Sequence, residues 1–337
     1  MESFEEKGVA DPWASFIKNQ KSYSTPSVKK SIWQIVNTFV PYVGLWVAAV
    51  YSLSVSYWLT ALFVVLASGF LVRLFIIFHD CGHGAFFKSG KANLVVGAFF
   101  GILAFTPYYK WHSMHMKHHA TVGNLDQRGD GDVWTMTRDE YNRSSKGRRM
   151  YYKIYRNPVV MFGIGPAYIF LIQNRFTKSW MNKKEKRNVY FTNAALLALF
   201  TGMGFAIGFG TFIVLQLIIL YIAAIGGIWL FYLQHQYENV SWYRGKDWNF
   251  RKVALEGSSF VKFPKLLQWF SGNIGFHHIH HLNPRIPNYY LEKCYRENSI
   301  FQDTVPVTFM MSMKSLKLRL WDEKLKKLVG YNGVGAS

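Results

Sequence analysis

The chain has 337 residues, of which half are hydrophobic, 18% aromatic and only 17% charged. An ordinary soluble domain carries about 25% charged residues, so the composition already points away from that class. The net charge of +20 suits an anionic lipid surface or an acidic protein partner. The basic residues are spread around apolar segments and form no known binding motif, which argues against nucleic acid. The two cysteines, Cys81 and Cys294, form neither a CxxC pair nor a disulfide framework.

Taken in order, residues 1–30 read as a polar, cytosolic N-terminal segment. Its first residues include Glu2, Glu5 and Glu6, with no basic stretch ahead of an apolar core, so no cleavable signal peptide is expected. Residues 31–72 then carry no formal charge, and the apolar run continues past Arg73 to Phe78. A membrane span needs about 20 apolar residues, so 31–78 holds two helices with a turn near Ser52 to Ser56. Residues 189–237 are a second stretch without formal charge. It holds two more helices, turning near Gly204 to Gly210 and ending near Leu233. Two buried hairpins of a soluble protein are the alternative, but charge-free runs this long are typical of lipid-facing segments. Neither turn contains Lys or Arg. The positive-inside rule therefore places both termini, and all 39 basic residues or their interface, on the cytoplasmic side.

Two shorter apolar stretches, 94–105 and 159–172, are bounded or interrupted by Pro107, Pro158 and Pro166. Each is too short to span and reads as an interfacial or half-inserted helix. The stretch 313–329 mixes Leu with Lys and Arg and is expected to be a helix, on the membrane surface or packed on the domain. The fold expected is thus an all-α integral membrane domain covering 1–337. Transmembrane hairpins at 31–78 and 189–233 carry a cytosolic helical cap built from 79–188 and 234–337.

Ten of the eleven histidines fall in three clusters, all at or beyond the cytoplasmic ends of the spans. His79 and His83 are i,i+4 and share a helix face. His115, His118 and His119 share one at i, i+3, i+4, and His277, His280 and His281 repeat that spacing. His235 stands alone just past the fourth span. Imidazole is a common metal ligand that suits zinc, copper, iron and nickel. Eight or nine such nitrogens exceed the ligand number of one metal, which is at most about six, so the set implies two. No Glu-x-x-His pair of the soluble di-iron bundles occurs, and spacing alone does not name the metal. His278 lies one step off the face of its cluster and reads as a packing residue. His112 shares its cluster's face, but the HxxHH set is complete without it. Asp80, Asp126, Asp130, Asp132 and Asn273 are candidates to orient ligand imidazoles; loop and cap chemistry is an equal reading for the aspartates.

The segments HDCGH, HMKHH and HHIHH resemble the three histidine boxes of the membrane fatty acid desaturases. The stretches 75–87, 124–134, 155–176, 229–235 and 257–290 resemble the bacterial acyl-lipid enzymes, especially the delta-5 phospholipid type, and the likeness runs from about Ser31 to Glu323. The resemblance implies a di-iron centre that uses dioxygen and two electrons to remove two hydrogens from an acyl chain, leaving a cis double bond. It implies iron ligation by His79, His83, His115, His118, His119, His277, His280 and His281, and His235 matches the further histidine that relatives place after the last span. The HxxxH first box is that of acyl-lipid rather than acyl-CoA enzymes, so the acyl chain of a phospholipid or glycolipid is the implied substrate. An acidic ferredoxin or flavodoxin is the implied donor and the plasma membrane the implied location. The rival functions are another histidine-box oxygenase (a hydroxylase, ketolase or alkane monooxygenase) and a metal transporter. The transporter would need ligands at membrane depth, where the predicted spans have no His, Asp or Glu.

Overall fold

A computed structural model describes residues 12–128 and 131–332. A short helix, α1 (Pro12–Tyr23), leads to α2 (Val28–Ser52) and α3 (Tyr57–Gly82), an antiparallel pair. The Ser27 side chain caps α2, and Ser52 Oγ meets Thr60 Oγ1 at 2.8 Å across the turn. A second pair, α9 (Lys183–Ile207) and α10 (Phe209–His235), follows later in the chain. Asn182 and Glu185 form a capping box that starts α9, satisfying backbone donors that the helix leaves unpaired. Gly208, at φ 89°, separates the two helices. Gly204 faces Phe209 so closely that a Cβ would lie 2.4 Å from its ring; the tight turn requires glycine there.

These four helices are long and apolar enough to cross a membrane, and the protein is an integral membrane protein of the architecture expected. Their outward faces carry bare aromatic and aliphatic side chains, among them Trp33, Trp58, Leu197 and Phe205, each more than half exposed. A contiguous apolar surface of that kind fits lipid rather than water. Inward, Tyr42, Trp46, Ala67, Leu71, Leu74, Phe212, Leu215 and Ile219 form the core between the hairpins.

The half of α3 nearest the histidines is buried almost throughout, because other elements cover it. From there the chain runs through α4 (Gly90–Leu103), bends by 102°, and enters α5 (Tyr108–Thr121). Beyond α5 lie β1 (Met136–Thr137), α6 (Arg138–Arg143) and α7 (Lys146–Tyr155). The stretch expected as a half-inserted helix is largely π-helical, at Val160–Ile164 and Tyr168–Ile172, with the single turn α8 (Gly165–Ala167) between. Tyr221 of α10 donates to the Gly163 carbonyl at 3.0 Å and holds this segment against the second hairpin.

After α10 come α11 (Phe250–Glu256), β2 (Phe260–Val261), α12 (Lys265–Phe270), α13 (His277–Leu282), α14 (Asn288–Glu297), β3 (Pro306–Val307) and α15 (Phe309–Ser315). The last elements among the described residues form a hairpin of β4 (Leu320–Asp322) and β5 (Lys327–Val329). β1 joins β4 in parallel, pairing Met136 with Leu320, and β2 pairs with β3. The helix expected over 313–329 is therefore corrected: α15 stops at Ser315. Leu316, Leu318 and Leu320 alternate with Lys317 and Arg319, a period of two, which is the period of a strand rather than a helix.

Two buried guanidiniums pin the cap to the spans without a carboxylate. Arg73 on α3 donates to Thr38 Oγ1 at 3.1 Å and to the Trp269 carbonyl, and lies 3.9 Å over the Trp269 ring. Arg156, fully buried, donates to Gln236 Oε1 (2.8 Å), Leu318 O (3.0 Å), Trp134 O (3.2 Å) and Thr135 Oγ1 (3.3 Å). It joins the end of α10 to the terminal hairpin. Arg156→Ala strands several buried acceptors at once, so a loss of about 3 kcal/mol is expected. It should be seen as a lower unfolding midpoint in detergent; an unchanged midpoint would contradict this role.

Candidate metal centre

The nine histidines expected as ligands come together in two adjoining groups. His79, His83, His115, His119 and His280 form one, and His118, His235, His277 and His281 the other. Within each group the candidate ligand atoms lie within 4.8 Å of one another. Each set of residues has a local reason to face inward. α3 carries His79 on its last turn with His83 as its C-cap; α5 and α13 present their histidines at i, i+3, i+4; α10 ends on His235. The groups share two helices, since α5 and α13 each supply both. His119 and His281 stack across the boundary, ring centres 4.2 Å apart.

The Nε2 atoms converge. His115 Nε2 lies 3.0 Å from His79 Nε2, 3.0 Å from His83 Nε2 and 3.1 Å from His119 Nε2, which in turn is 3.1 Å from His280 Nε2. In the second group His235 Nε2 is 3.1 Å from His118 Nε2 and 2.9 Å from His277 Nε2, and His281 Nε2 is 3.0 Å from His277 Nε2. A hydrogen bond can use one proton between two such nitrogens, but several lone pairs aimed at one point repel unless a cation sits among them.

The far sides of the rings agree with that reading. His79 Nδ1 pairs with Asp80 Oδ1 at 3.2 Å, His118 Nδ1 with Asp132 Oδ1, and His235 Nδ1 with the Gly257 carbonyl at 3.3 Å. An acceptor at Nδ1 holds the proton there and presents the Nε2 lone pair for ligation. Burial, and then the neighbouring imidazoles, hold His83, His277, His280 and His281 well below the usual imidazole range. They are neutral at pH 7, the form that binds metal. The donor set therefore fits two ions of a borderline transition metal.

The expected orienting residues divide. Asp80 and Asp132 meet ligand rings directly. Asn273, at φ 58°, donates to the Asn288 carbonyl at 3.1 Å and so stands behind Asp80 rather than beside a histidine. Asp126 accepts from the Arg244 side chain at 2.5 Å and from the Gly245 amide at 2.8 Å. Asp130 lies outside the described residues. His112 and His278 belong to neither group. His278 is fully buried among Phe260, Tyr295 and Phe301, where burial pushes it down to about 3.

Two contributors escaped the sequence. Asn288 donates to Asp80 Oδ2 through its amide (2.7 Å) and its side chain (2.8 Å), and accepts from Gln34 at 2.9 Å. Trp111 stacks on His115, centres 4.3 Å apart at 20°. Its place four residues before His115 is a helical-face signal that could have found it; nothing local marks Asn288.

Comparison with known proteins agrees with this centre. The fatty acid desaturase family model matches residues 56–308, and the chain belongs to the fatty acid desaturase family. It is 43% identical over 329 residues to a fatty acid desaturase of Bacillus subtilis, covering 98% of this chain and 94% of that one. It is 30% identical over 229 residues to an sn-1 acyl-lipid omega-3 desaturase (ferredoxin) of Synechocystis, covering 64% of this chain and 60% of the relative. It is also 30% identical over 230 residues to the chloroplastic sn-2 acyl-lipid omega-3 desaturase (ferredoxin) of Arabidopsis thaliana, covering 63% and 49%.

Removing an orienting partner should loosen the metal without unfolding the protein. Asp80→Ala and Asp132→Ala are each expected to weaken metal retention by about 10–100-fold, measured by competition with a chelator. Asp126→Ala should retain metal like the parent. Equal retention in all three would mean that Asp80 and Asp132 do not orient their histidines.

Proposed function

We propose that the protein is a dioxygen-dependent di-iron desaturase that places a cis double bond at delta-5 in the acyl chain of a membrane phospholipid or glycolipid. The observation that carries the reading is the pair of converging imidazole groups at the histidine-bearing ends of lipid-facing helices, in a chain of the desaturase family. His79, His83, His115, His119 and His280 would hold one iron, and His118, His235, His277 and His281 the other. Bound there, the irons supply the oxidising chemistry that an unactivated carbon–hydrogen bond demands.

The chain's own residues do the rest. Asp80, Asp132 and the Gly257 carbonyl keep the proton on Nδ1 of their histidines, so that Nε2 stays available. Asn288 and Gln34 hold Asp80 in place. The rings of Trp111, against His79 and His115, and of Phe231, against His118 and His235, border the centre with apolar surface. An acyl chain of a membrane lipid lies in the bilayer, so a centre at the histidine-bearing ends of the spanning helices α3 and α10 lies beside its substrate.

Electrons reach such a site from a soluble donor. The ferredoxin in the names of two relatives and the net charge of +20 support an acidic ferredoxin or flavodoxin. The absence of Lys and Arg from both inter-helix turns supports a plasma-membrane protein with termini and metal centre in the cytoplasm.

The test is the fatty acid profile of cells expressing the chain, read by gas chromatography with mass spectrometry. The expected result is a new cis-monoenoic chain unsaturated at delta-5, absent with His281→Ala although that variant still fractionates with membranes. A hydroxylated chain without an alkene would contradict desaturation, and an alkene elsewhere would contradict delta-5.

A further inference from the structure

The short helix α12 faces lipid on one side and a spanning helix on the other. Trp269 and Phe270 meet Phe70 of α3 edge-on, ring centres 5.7 and 5.2 Å away, and a Cβ added at Gly69 would lie 3.1 Å from the Phe270 ring. Gly69 and Phe70 precede His79 by about 14 Å along the helix, so α12 sits at the depth of the apolar run. Its open side carries Leu266 and Leu267, 68% and 51% exposed. This surface continues the lipid-facing surface of the hairpins and meets acyl chains of the leaflet on the histidine side.

Between α12 and α14 the surface opens into a cleft of about 460 Å³, a volume in the range of small-molecule sites. Among the described residues its charged lining is Lys265, Lys293 and Arg296 against Glu292 and Glu297. Glu292 is shared, accepting from Lys265 Nζ at 2.6 Å and from Arg296. Glu297 faces Lys293 at 3.8 Å and accepts from Tyr23 at 2.8 Å. Three cations against two carboxylates leave one positive charge over. Lys30 adds another beside the cleft, 4.2 Å over the Tyr290 ring and 5.9 Å from the ring of Tyr289, which lines it. Tyr289 accepts from the Ser27 amide at 3.0 Å, and Ser27 caps α2 where that span begins. The polar part of the cleft therefore lies at headgroup level. Asn273, also in its lining, donates to the Asn288 carbonyl at 3.1 Å, so the cleft backs on to the residue that holds Asp80.

We propose that this cleft seats the phosphodiester headgroup of a membrane phospholipid whose acyl chains lie on Leu266 and Leu267. A phosphodiester carries one negative charge, which matches the surplus inside the cleft. Its oxygens accept hydrogen bonds. Arg296 offers such a group a planar fork, and Lys265 and Lys293 offer mobile point charges. Because Glu292 is divided between two cations, neither is fully neutralised by it. A glycolipid without phosphate brings chains but no charge, and a soluble phosphate ester brings charge but no chains. The cleft and the open side of α12, taken together, suit a ligand with both. The site stands on the cleft and its place in the bilayer, not on the reaction.

The test uses the full-length protein in nanodiscs, without dioxygen so that no turnover occurs. The probe is dipalmitoyl phosphatidylglycerol with a diazirine on its headgroup glycerol, and adducts are read by mass spectrometry after irradiation. In the parent they are expected on Tyr289, Lys293 or Arg296. They should fall about tenfold when Lys265→Ala is combined with Arg296→Ala, which removes two of the charged donors. Lys246→Ala, at an exposed lysine outside the cleft, should leave them unchanged. Unlabelled phosphatidylglycerol should compete the parent's adducts away, whereas digalactosyl diacylglycerol at the same content, or glycerol 3-phosphate in the buffer, should not. Equal competition by the galactolipid would overturn recognition of the phosphate. Competition by glycerol 3-phosphate would overturn the lipid site in favour of one for a soluble phosphate ester. Cleft adducts missing from the parent, or unchanged in the double variant, would also overturn the proposal. The competition arms need only the parent, so they decide the matter even if the double variant does not fold. A missing desaturated product in cells would count against the reaction and leave this site standing.

Discussion

Nitrogen lone pairs pointed at one another are the constraint on which this molecule is built. Nine imidazoles from four helices and a cap are packed so that their Nε2 atoms face inward at about 3 Å. Burial, and then mutual proximity, keep His83, His277, His280 and His281 without a proton. A cation among the lone pairs relieves their repulsion for the whole set at once. The rest of the structure either aims these rings or resists the force that would spread them. The Asp80–Asn288–Gln34 chain of hydrogen bonds is a clear instance: it ties the end of α3 and its neighbour α2 to α14, far away in sequence.

The bilayer shapes how that cluster is supported. Only helices satisfy their backbone groups within lipid, so the ligands have to be delivered by helix ends. α3 and α10 each reach past their apolar runs to place His79 and His235 at the centre. Histidines on α5 and α13 close over them, and buried Arg73 and Arg156 fix the covering elements by donating to carbonyl and side-chain oxygens rather than to carboxylates. A buried guanidinium without a counter-charge is tolerable there because its hydrogen bonds are charge-assisted.

Much of this was legible in the amino-acid order, for physical reasons. Charge-free runs and their breaks at Ser52–Ser56 and Gly204–Gly210 locate both hairpins, because the cost of a charge in lipid leaves so strong a pattern. The histidine clusters are legible because a helix face repeats at three and four residues. Long-range partners leave no such trace: Asn288 is 208 residues from Asp80. Asp126 and Asp132 look alike in sequence, yet one binds Arg244 at the surface and the other meets His118. The terminal segment departs from the expected helix because Leu316, Leu318 and Leu320 alternate with Lys317 and Arg319 at the period of a strand, and its composition alone does not separate that from an amphipathic helix. The π-helical stretch at 160–172 shows no distinguishing pattern, since its proline and apolar residues also fit an ordinary short helix.

Metal stoichiometry tests the central claim most directly. Elemental analysis of the purified, active chain should find two irons per molecule, and His118→Ala, which removes a ligand from the smaller group, should lower that number toward one. A single metal per active chain, or zinc in place of iron, would contradict the account.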